Sequence, residues 1–361
     1  MFVKRDQRKI PQILADAANR ADPASDEGVV TEMRFARRAP EFLANGNGSV
    51  SLLLEPRYRP ALDNLMQLSL YDCGLQSLAG IEQRNNDDGA PPLFPRLESL
   101  DVGRNPKLTN ESLPDTFHTQ FPRLVQLWAD DCSLGPTIPS TLLDLDKLQV
   151  VRMTGNKLEG ELEGGIGTRH WRHLKILALD GNKLSSVGRG IGKMKDLEKL
   201  YLRGNNLTSL PEGVPGVGNS SLTVLSLSSN QLTSVPMSLV ACATLKELYL
   251  NGNRIEELPE WLAKNLVVLR KLNLAHNSIG KNAGSNNDDN EMVWDEEGQL
   301  PLDFVRRFGM PEPLTGNCTK EDECTVRMEG NPVAEDIKKK YLEEEKSRAK
   351  EMTQMEVEVI Q

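Results

Sequence analysis

LEKLYLRGNNL, residues 197–207, carries leucine at its first, fourth, sixth and eleventh positions and asparagine at its ninth. Successive side chains of an extended segment point to opposite faces. Leu200 and Leu202 therefore share one face, and Tyr201 takes the other. The template recurs as LKILALDGNKL at 174–184, LTVLSLSSNQL at 222–232, LKELYLNGNRI at 245–255 and LRKLNLAHNSI at 269–279. Looser copies are LMQLSLYDCGL at 65–75, LESLDVGRNPKL at 97–108, LVQLWADDCSL at 124–134, LQVVRMTGNKL at 148–158 and VRMEGNPV at 326–333. The ninth position is filled in turn by Cys73, Asn105, Cys132, Asn156, Asn182, Asn205, Asn230, Asn253, Asn277 and Asn331. From Asn156 to Asn277 the intervals are 26, 23, 25, 23 and 24 residues.

This period and consensus resemble the leucine-rich repeat family. The resemblance covers residues 61–280 and resumes at 324–333. It implies an α/β fold, a right-handed solenoid or horseshoe. A parallel β-sheet would line its concave face, with short helices, 3₁₀ turns and extended segments on the convex face. One repeat cannot bury its leucines alone, whereas a stack can, at about 1.5–3 kcal/mol per buried leucine. The ninth residue turns the chain inward, where its side chain must satisfy backbone groups of adjacent coils. Asparagine supplies a donor and an acceptor, and cysteine a compact weak donor. Cys73 and Cys132 are thus read as buried, inert ladder residues.

Between strands, LTSLPEGV (207–214), LTSVPMSLV (232–240) and IEELPEWLAKNL (255–266) share an L-x-x-L/V-P turn. Proline suits the first residue of a short helical segment. These turns resemble the plant intracellular Ras-group-related repeat proteins. LGPTIPSTLLDLDKL, 134–148, instead resembles the L-x-G-x-I-P repeats of plant receptors, a style LEGELEGGIG at 158–167 continues.

Residues 1–60 lack the repeat and are expected to cap the stack, since terminal repeats need a polar cover. Within them 4–20 reads as an amphipathic helix, 29–42 as a degenerate first strand, and SVSLLLEP, 49–56, as a further strand. Residues 81–95 enlarge one loop. Residues 281–323 form an acidic, partly mobile insertion, in which 300–309 looks helical. Residues 334–361 read as a charged C-terminal helix and tail.

The net charge of −9 disfavours nucleic acid as a partner. MFVKRDQRKI has no apolar signal core, and no apolar run approaches the roughly 20 residues that span a bilayer. With five cysteines, of which only Cys318 and Cys324 lie close together, the expectation is a cytoplasmic monomer with free thiols. His170 and His173, in TRHWRHL, have helical spacing but no acidic or cysteine partner at ligand distance. His276 reads as a solvated turn residue, and NNDDNEMVWDEEG lacks the glycine of a calcium loop. No phosphate loop or Ser/His/Asp set is assignable, so neither enzyme activity nor a cofactor is expected. Asn-x-Ser/Thr triplets at Asn47, Asn110, Asn206, Asn219 and Asn317 matter only outside the cytosol.

Function is therefore sought on the outward strand positions. One stripe comprises Ser69, Asp101, Trp128, Arg152, Ala178, Tyr201, Ser226, Tyr249 and Asn273. Two residues further on come Tyr71, Gly103, Asp130, Thr154, Asp180, Arg203, Ser228, Asn251 and Ala275. Aromatics are only 5% of the chain, yet Tyr71, Trp128, Tyr201 and Tyr249 lie on these stripes. Trp, Tyr and Arg often carry interface energy. Tyr71, Trp128, Asp130, Arg152, Asp180, Tyr201, Arg203, Tyr249 and Asn251 are the candidate protein-binding residues. The resemblance implies a noncatalytic intracellular scaffold or adaptor. A regulatory subunit of a phosphatase or small-GTPase pathway is the alternative, and a receptor ectodomain a third possibility.

Overall fold

A computed structural model describes residues 8–21, 28–78, 80–81, 91–162, 165–216, 220–280, 300, 302–308, 317–318, 324–336, 339 and 342–343. The chain divides into two compact units, Met1–Leu200 and Tyr201–Gln361.

The first unit opens with helix α1 (Ile10–Arg20), whose Ile10, Leu14 and Ala17 are buried, the spacing of one helical face. Strand β1 (Glu32–Arg34) follows, then α2 (Ala39–Gly46), which ends at Asn47 in the left-handed region. The stretch 49–56 is not a strand: Ser51–Leu53 forms a 3₁₀ turn, and a second, Pro56–Tyr58, leads into α3 (Arg59–Asp63). Three consecutive leucines offer no alternation. A strand would turn one of Leu52 and Leu53 outward, whereas the tight turn buries both. Next come β2 (Gln67–Ser69), β3 (Ser99–Asp101), α4 (Phe117–Gln120), β4 (Gln126–Trp128), α5 (Ser140–Leu143), β5 (Val150–Arg152), β6 (Glu159–Glu161), β7 (Ile176–Ala178) and β8 (Lys183–Ser186).

Strands β1, β2, β3, β4, β5 and β7 lie in that order in one sheet. Their pairing is parallel and in register, aligning Met33, Leu68, Leu100, Leu127, Val151 and Leu177. All six are buried and form one aliphatic row. The sheet thus starts inside the segment expected to act as a cap. Strands β6 and β8 make a separate two-stranded parallel sheet, built from the 158–167 stretch and its successor. Phe94, from the enlarged loop, stacks on Phe121 at 5.1 Å, and Phe117 lies 4.6 Å from the same ring.

Strand β9 (Lys199–Tyr201) falls where the chain divides. The second unit contains β10 (Val224–Ser226), β11 (Glu247–Tyr249), α6 (Trp261–Asn265), β12 (Lys271–Asn273), α7 (Leu302–Phe308), β13 (Asn317–Cys318) and β14 (Thr325–Arg327). Strands β10, β11, β12 and β14 pair in parallel, with Leu225, Leu248, Leu272 and Val326 aligned, and β13 joins β14 antiparallel. Of the proline turns, LTSVP opens the 3₁₀ segment Met237–Ala241 and IEELP opens α6, whereas LTSLP opens no helix. Helix α7 is held by Arg307, which donates to the Leu266 carbonyl at 2.8 Å and to that of Ala263. A short helical stretch, 332–336, follows the last coil. The rest of the acidic insertion and of the C-terminal tail lies outside the described residues.

The ninth-position residues are all buried. The pattern is plain at Asn182. Its Oδ1 accepts the Leu158 N–H at 3.1 Å, and its Nδ2 donates to the Met153 carbonyl of the preceding coil at 3.0 Å and to Leu179 of its own at 2.9 Å. Asn253 repeats this with the Leu232 N–H and the Leu227 and Leu250 carbonyls. Asn277 and Asn331 do the same one and two coils later.

Cysteine stands where the preceding coil presents no N–H for an amide oxygen to accept. Two residues after position nine of the β1 coil is Pro40, which has no N–H. Cys73 then needs only to donate, and its Sγ lies 2.8 Å from the Phe35 carbonyl. The Asn105 coil holds one extra residue, and its Leu108 N–H is already bonded to the Asn105 carbonyl at 2.9 Å. Cys132 Sγ lies 3.4 Å from the Val102 carbonyl.

Candidate partner-binding surface on the sheet

In the first unit Trp128 sits between Asp101 and Arg152 on neighbouring strands. The tight turns after β3 and β4 place Arg104 and Asp131 in the left-handed region. Trp128 is 36% exposed, whereas Trp171 is 1% exposed; of these two indoles only one fills the core. Arg152 Nη2 reaches Asp130 Oδ2 at 3.0 Å, and Asp130 Oδ1 accepts the Thr154 N–H at 2.9 Å. This half-exposed pair contributes at most about 1 kcal/mol to stability, but it fixes the guanidinium beside the indole.

Asp101 accepts from the Ser69 hydroxyl at 3.0 Å and the Gly103 N–H at 2.9 Å. Burial nevertheless raises its pKa above the usual carboxylate value, the hydrogen bonds opposing that shift. Half-buried Tyr71 is hydrogen-bonded to Arg104. Asp180 is half-buried, and Ala178 is buried despite its outward position.

In the second unit Tyr201 is half-buried and Arg203 exposed. Ser226 and Ser228 are buried, and the Ser228 hydroxyl donates to Asn251 Oδ1 at 2.6 Å. The Tyr249 hydroxyl donates to Glu247 Oε2 at 2.6 Å, and Lys271 Nζ lies 3.1 Å from Glu247 Oε1. Burial first, then the Glu247 carboxylate, pushes the Tyr249 pKa up to about 12.

A cavity of about 410 Å³ opens on this face, lined by Tyr249, Lys271, Asn273, Thr325 and Arg327. Lys271 and Thr325 occupy the third position of the repeat, which also faces outward but which the two sequence stripes leave out. Periodicity alone marks that position as available, and only the coil-by-coil register shows which residues meet there.

Trp128, Asp130 and Arg152 form one cluster in the first unit, and Tyr249 lies at the cavity in the second. His170 and His173 are not on a helix, because Trp171 between them adopts a left-handed φ of 53°. His173 instead faces Asp196 at 3.2 Å. His276 is exposed in a turn, with φ 54°. Cys324 is a free thiol. Among the described residues, no group of three or more His, Cys, Asp or Glu is placed to hold a metal, and no helix is long and apolar enough to cross a membrane.

Residues 172–232 and 220–279 match the leucine rich repeat family. No curated protein matches the sequence. Among solved structures, a leucine-rich repeat protein of Leptospira interrogans aligns at 21% identity over 91% of this chain and 77% of its own, with a TM-score of 0.56. The plant peptide hormone receptor RGFR1, in complex with RGF2, aligns at 21% identity over 69% of this chain and 36% of its own, with a TM-score of 0.49. An internalin of Listeria monocytogenes aligns at 20% identity over 61% and 58%, also with a TM-score of 0.49. The fold is a leucine-rich-repeat solenoid.

Proposed function

We propose that this chain is a noncatalytic protein-binding module, a cytoplasmic scaffold or adaptor that grips protein partners with the exposed face of its sheet. The observation that carries this reading is Trp128, a large indole 36% exposed on a strand face and flanked by a fixed guanidinium. An exposed aromatic beside a positioned arginine is the chemistry of interface hot spots. In the second unit Tyr201, Arg203, Tyr249 and Asn251 offer a further surface of the same character. Leucine-rich repeats are in general interaction modules. The L-x-x-L-P turns support a likeness to the plant Ras-group-related proteins, and the buried thiols suit a reducing compartment.

The test is proximity labelling in the native cell, followed by reconstitution of the captured partner and calorimetric titration. Trp128→Ala should weaken that partner's binding by roughly 30-fold or more, the loss of one hot spot. Arg152→Ala and Arg203→Ala assess each unit separately. Melting temperatures should hardly move, because these side chains fill no core. Full affinity in all three variants would overturn the reading.

A further inference from the structure

The first unit holds a second groove away from the outward stripes, at the edge of the sheet where the chain enters each strand. Its volume is about 540 Å³, and its charged lining is Asp146, Lys147, Arg169, Arg172 and His173. All five are exposed. His173 faces Asp196, but Lys147, Arg169 and Arg172 form no ion pair with any described residue. Three cations with no ion pair to a described residue therefore line one groove with the Asp146 carboxylate, and Asp196 adjoins it through His173, on a chain whose net charge is −9.

The loop that carries two of these cations is tied to the body of the unit by hydrogen bonds and a buried side chain. The Gly165 carbonyl accepts the N–H groups of Arg169 at 2.8 Å and of Thr168 and His170 at 3.2 Å. Trp171 is 1% exposed and donates its indole N–H to the Leu142 carbonyl at 3.0 Å. Its left-handed φ of 53° is rare for a bulky aromatic side chain. The anchored indole and the reversed backbone together hold Arg169 and Arg172 on either side of a buried residue, both lining one groove.

We propose that this groove binds an acidic peptide segment of a partner protein, independently of the sheet face. Charge complementarity selects the occupant. The groove spans the coils of Val125, Lys147 and Arg172, two strand-to-strand steps or about 10 Å. That length takes about three residues of an extended chain. Nucleic acid fits less well: the Trp171 indole is sealed inside, so it offers no platform for base stacking.

The test is an NMR titration of the full chain with a Gly-Ser peptide carrying three consecutive glutamates. A peptide with glutamines in their place and an oligothymidylate serve as comparison probes. Saturable shifts should appear at residues 145–149 and 169–173, for the glutamate peptide only. Arg169→Glu with Arg172→Glu should weaken binding roughly tenfold or more, and Asp146→Asn should tighten it. Lys157→Glu with Lys183→Glu makes the same charge change at exposed positions outside the groove and should leave affinity within about twofold. Absence of saturable shifts, equal weakening by both double variants, or tighter binding of the oligothymidylate would each overturn the proposal.

Discussion

Replacing Asn182 tests the rule that decides where this solenoid uses asparagine and where cysteine. Asn182→Leu keeps the number and branching of side-chain heavy atoms but strands three buried backbone groups: the Leu158 N–H and the carbonyls of Met153 and Leu179. A buried polar group without a partner costs about 1–3 kcal/mol. With partial relaxation, Asn182→Leu should cost about 3–6 kcal/mol, a large part of the about 5–15 kcal/mol that holds a typical domain. Asn182→Cys should cost less. Its single S–H can still donate to one of the two carbonyls, as that of Cys132 does to Val102, so two of the three groups are left alone and the cost should be about 1–3 kcal/mol below that of Asn182→Leu. Cys132→Asn should bring no comparable gain, because the Leu108 N–H is already bonded to Asn105. Urea unfolding under reducing conditions gives the stabilities, and hydrogen exchange at the Leu158 amide shows whether the loss is local. Equal destabilisation by Asn182→Leu and Asn182→Cys, or stabilisation by Cys132→Asn of more than about 1 kcal/mol, would refute the reasoning.

Other outcomes follow from the same geometry. Burial raises Cys73, Cys132 and Cys242 from 9.0 to about 11, so alkylation near pH 8 should leave all three untouched in the folded chain. Because the folded pKa exceeds the unfolded one, the stability each thiol contributes is whole below pH 9 and is lost as pH rises towards about 11, on the order of 2–3 kcal/mol apiece. Denaturation midpoints across that range test the sign. Gly167→Ala would press a Cβ to 2.2 Å from the Gly190 carbonyl at a φ of 81°, and should cost about 2–5 kcal/mol. Gly155→Ala meets only the far end of the Asp131 side chain, which can swing away, and should cost about 1–2 kcal/mol. Glu247→Gln removes the carboxylate beside the Tyr249 hydroxyl, so in an ultraviolet pH titration that phenol should ionise at lower pH than the value of about 12 in the parent chain.

Position nine was legible because its requirement repeats once per coil. Asn182, Asn253 and Asn277 each face the same three backbone groups, so one residue type recurs at a readable interval. Within 29–42, read as a strand, alternation marked the inward Met33 of Glu32–Arg34, whereas the chain from Ala39 onward is helical. Residues 49–56 were misread because a run of leucines carries no period, and burial of neighbouring leucines favours a tight turn. In TRHWRHL the helical spacing of His170 and His173 carries no information about φ. The left-handed Trp171 is imposed by the interior that takes its indole.

The sequence by itself determined the repeat, its inward aliphatic row, its ladder and the outward placement of Trp128, since each depends only on chain periodicity and on side-chain hydrogen-bonding capacity. Tertiary structure alone decided which charges neutralise one another. Arg152 finds Asp130, and Lys271 finds Glu247, across coils 22 and 24 residues apart, while Lys147, Arg169 and Arg172 find no carboxylate among the described residues. Coulombic pairing depends on distance through space, and residues far apart along the chain come within a few ångströms only when the coils stack.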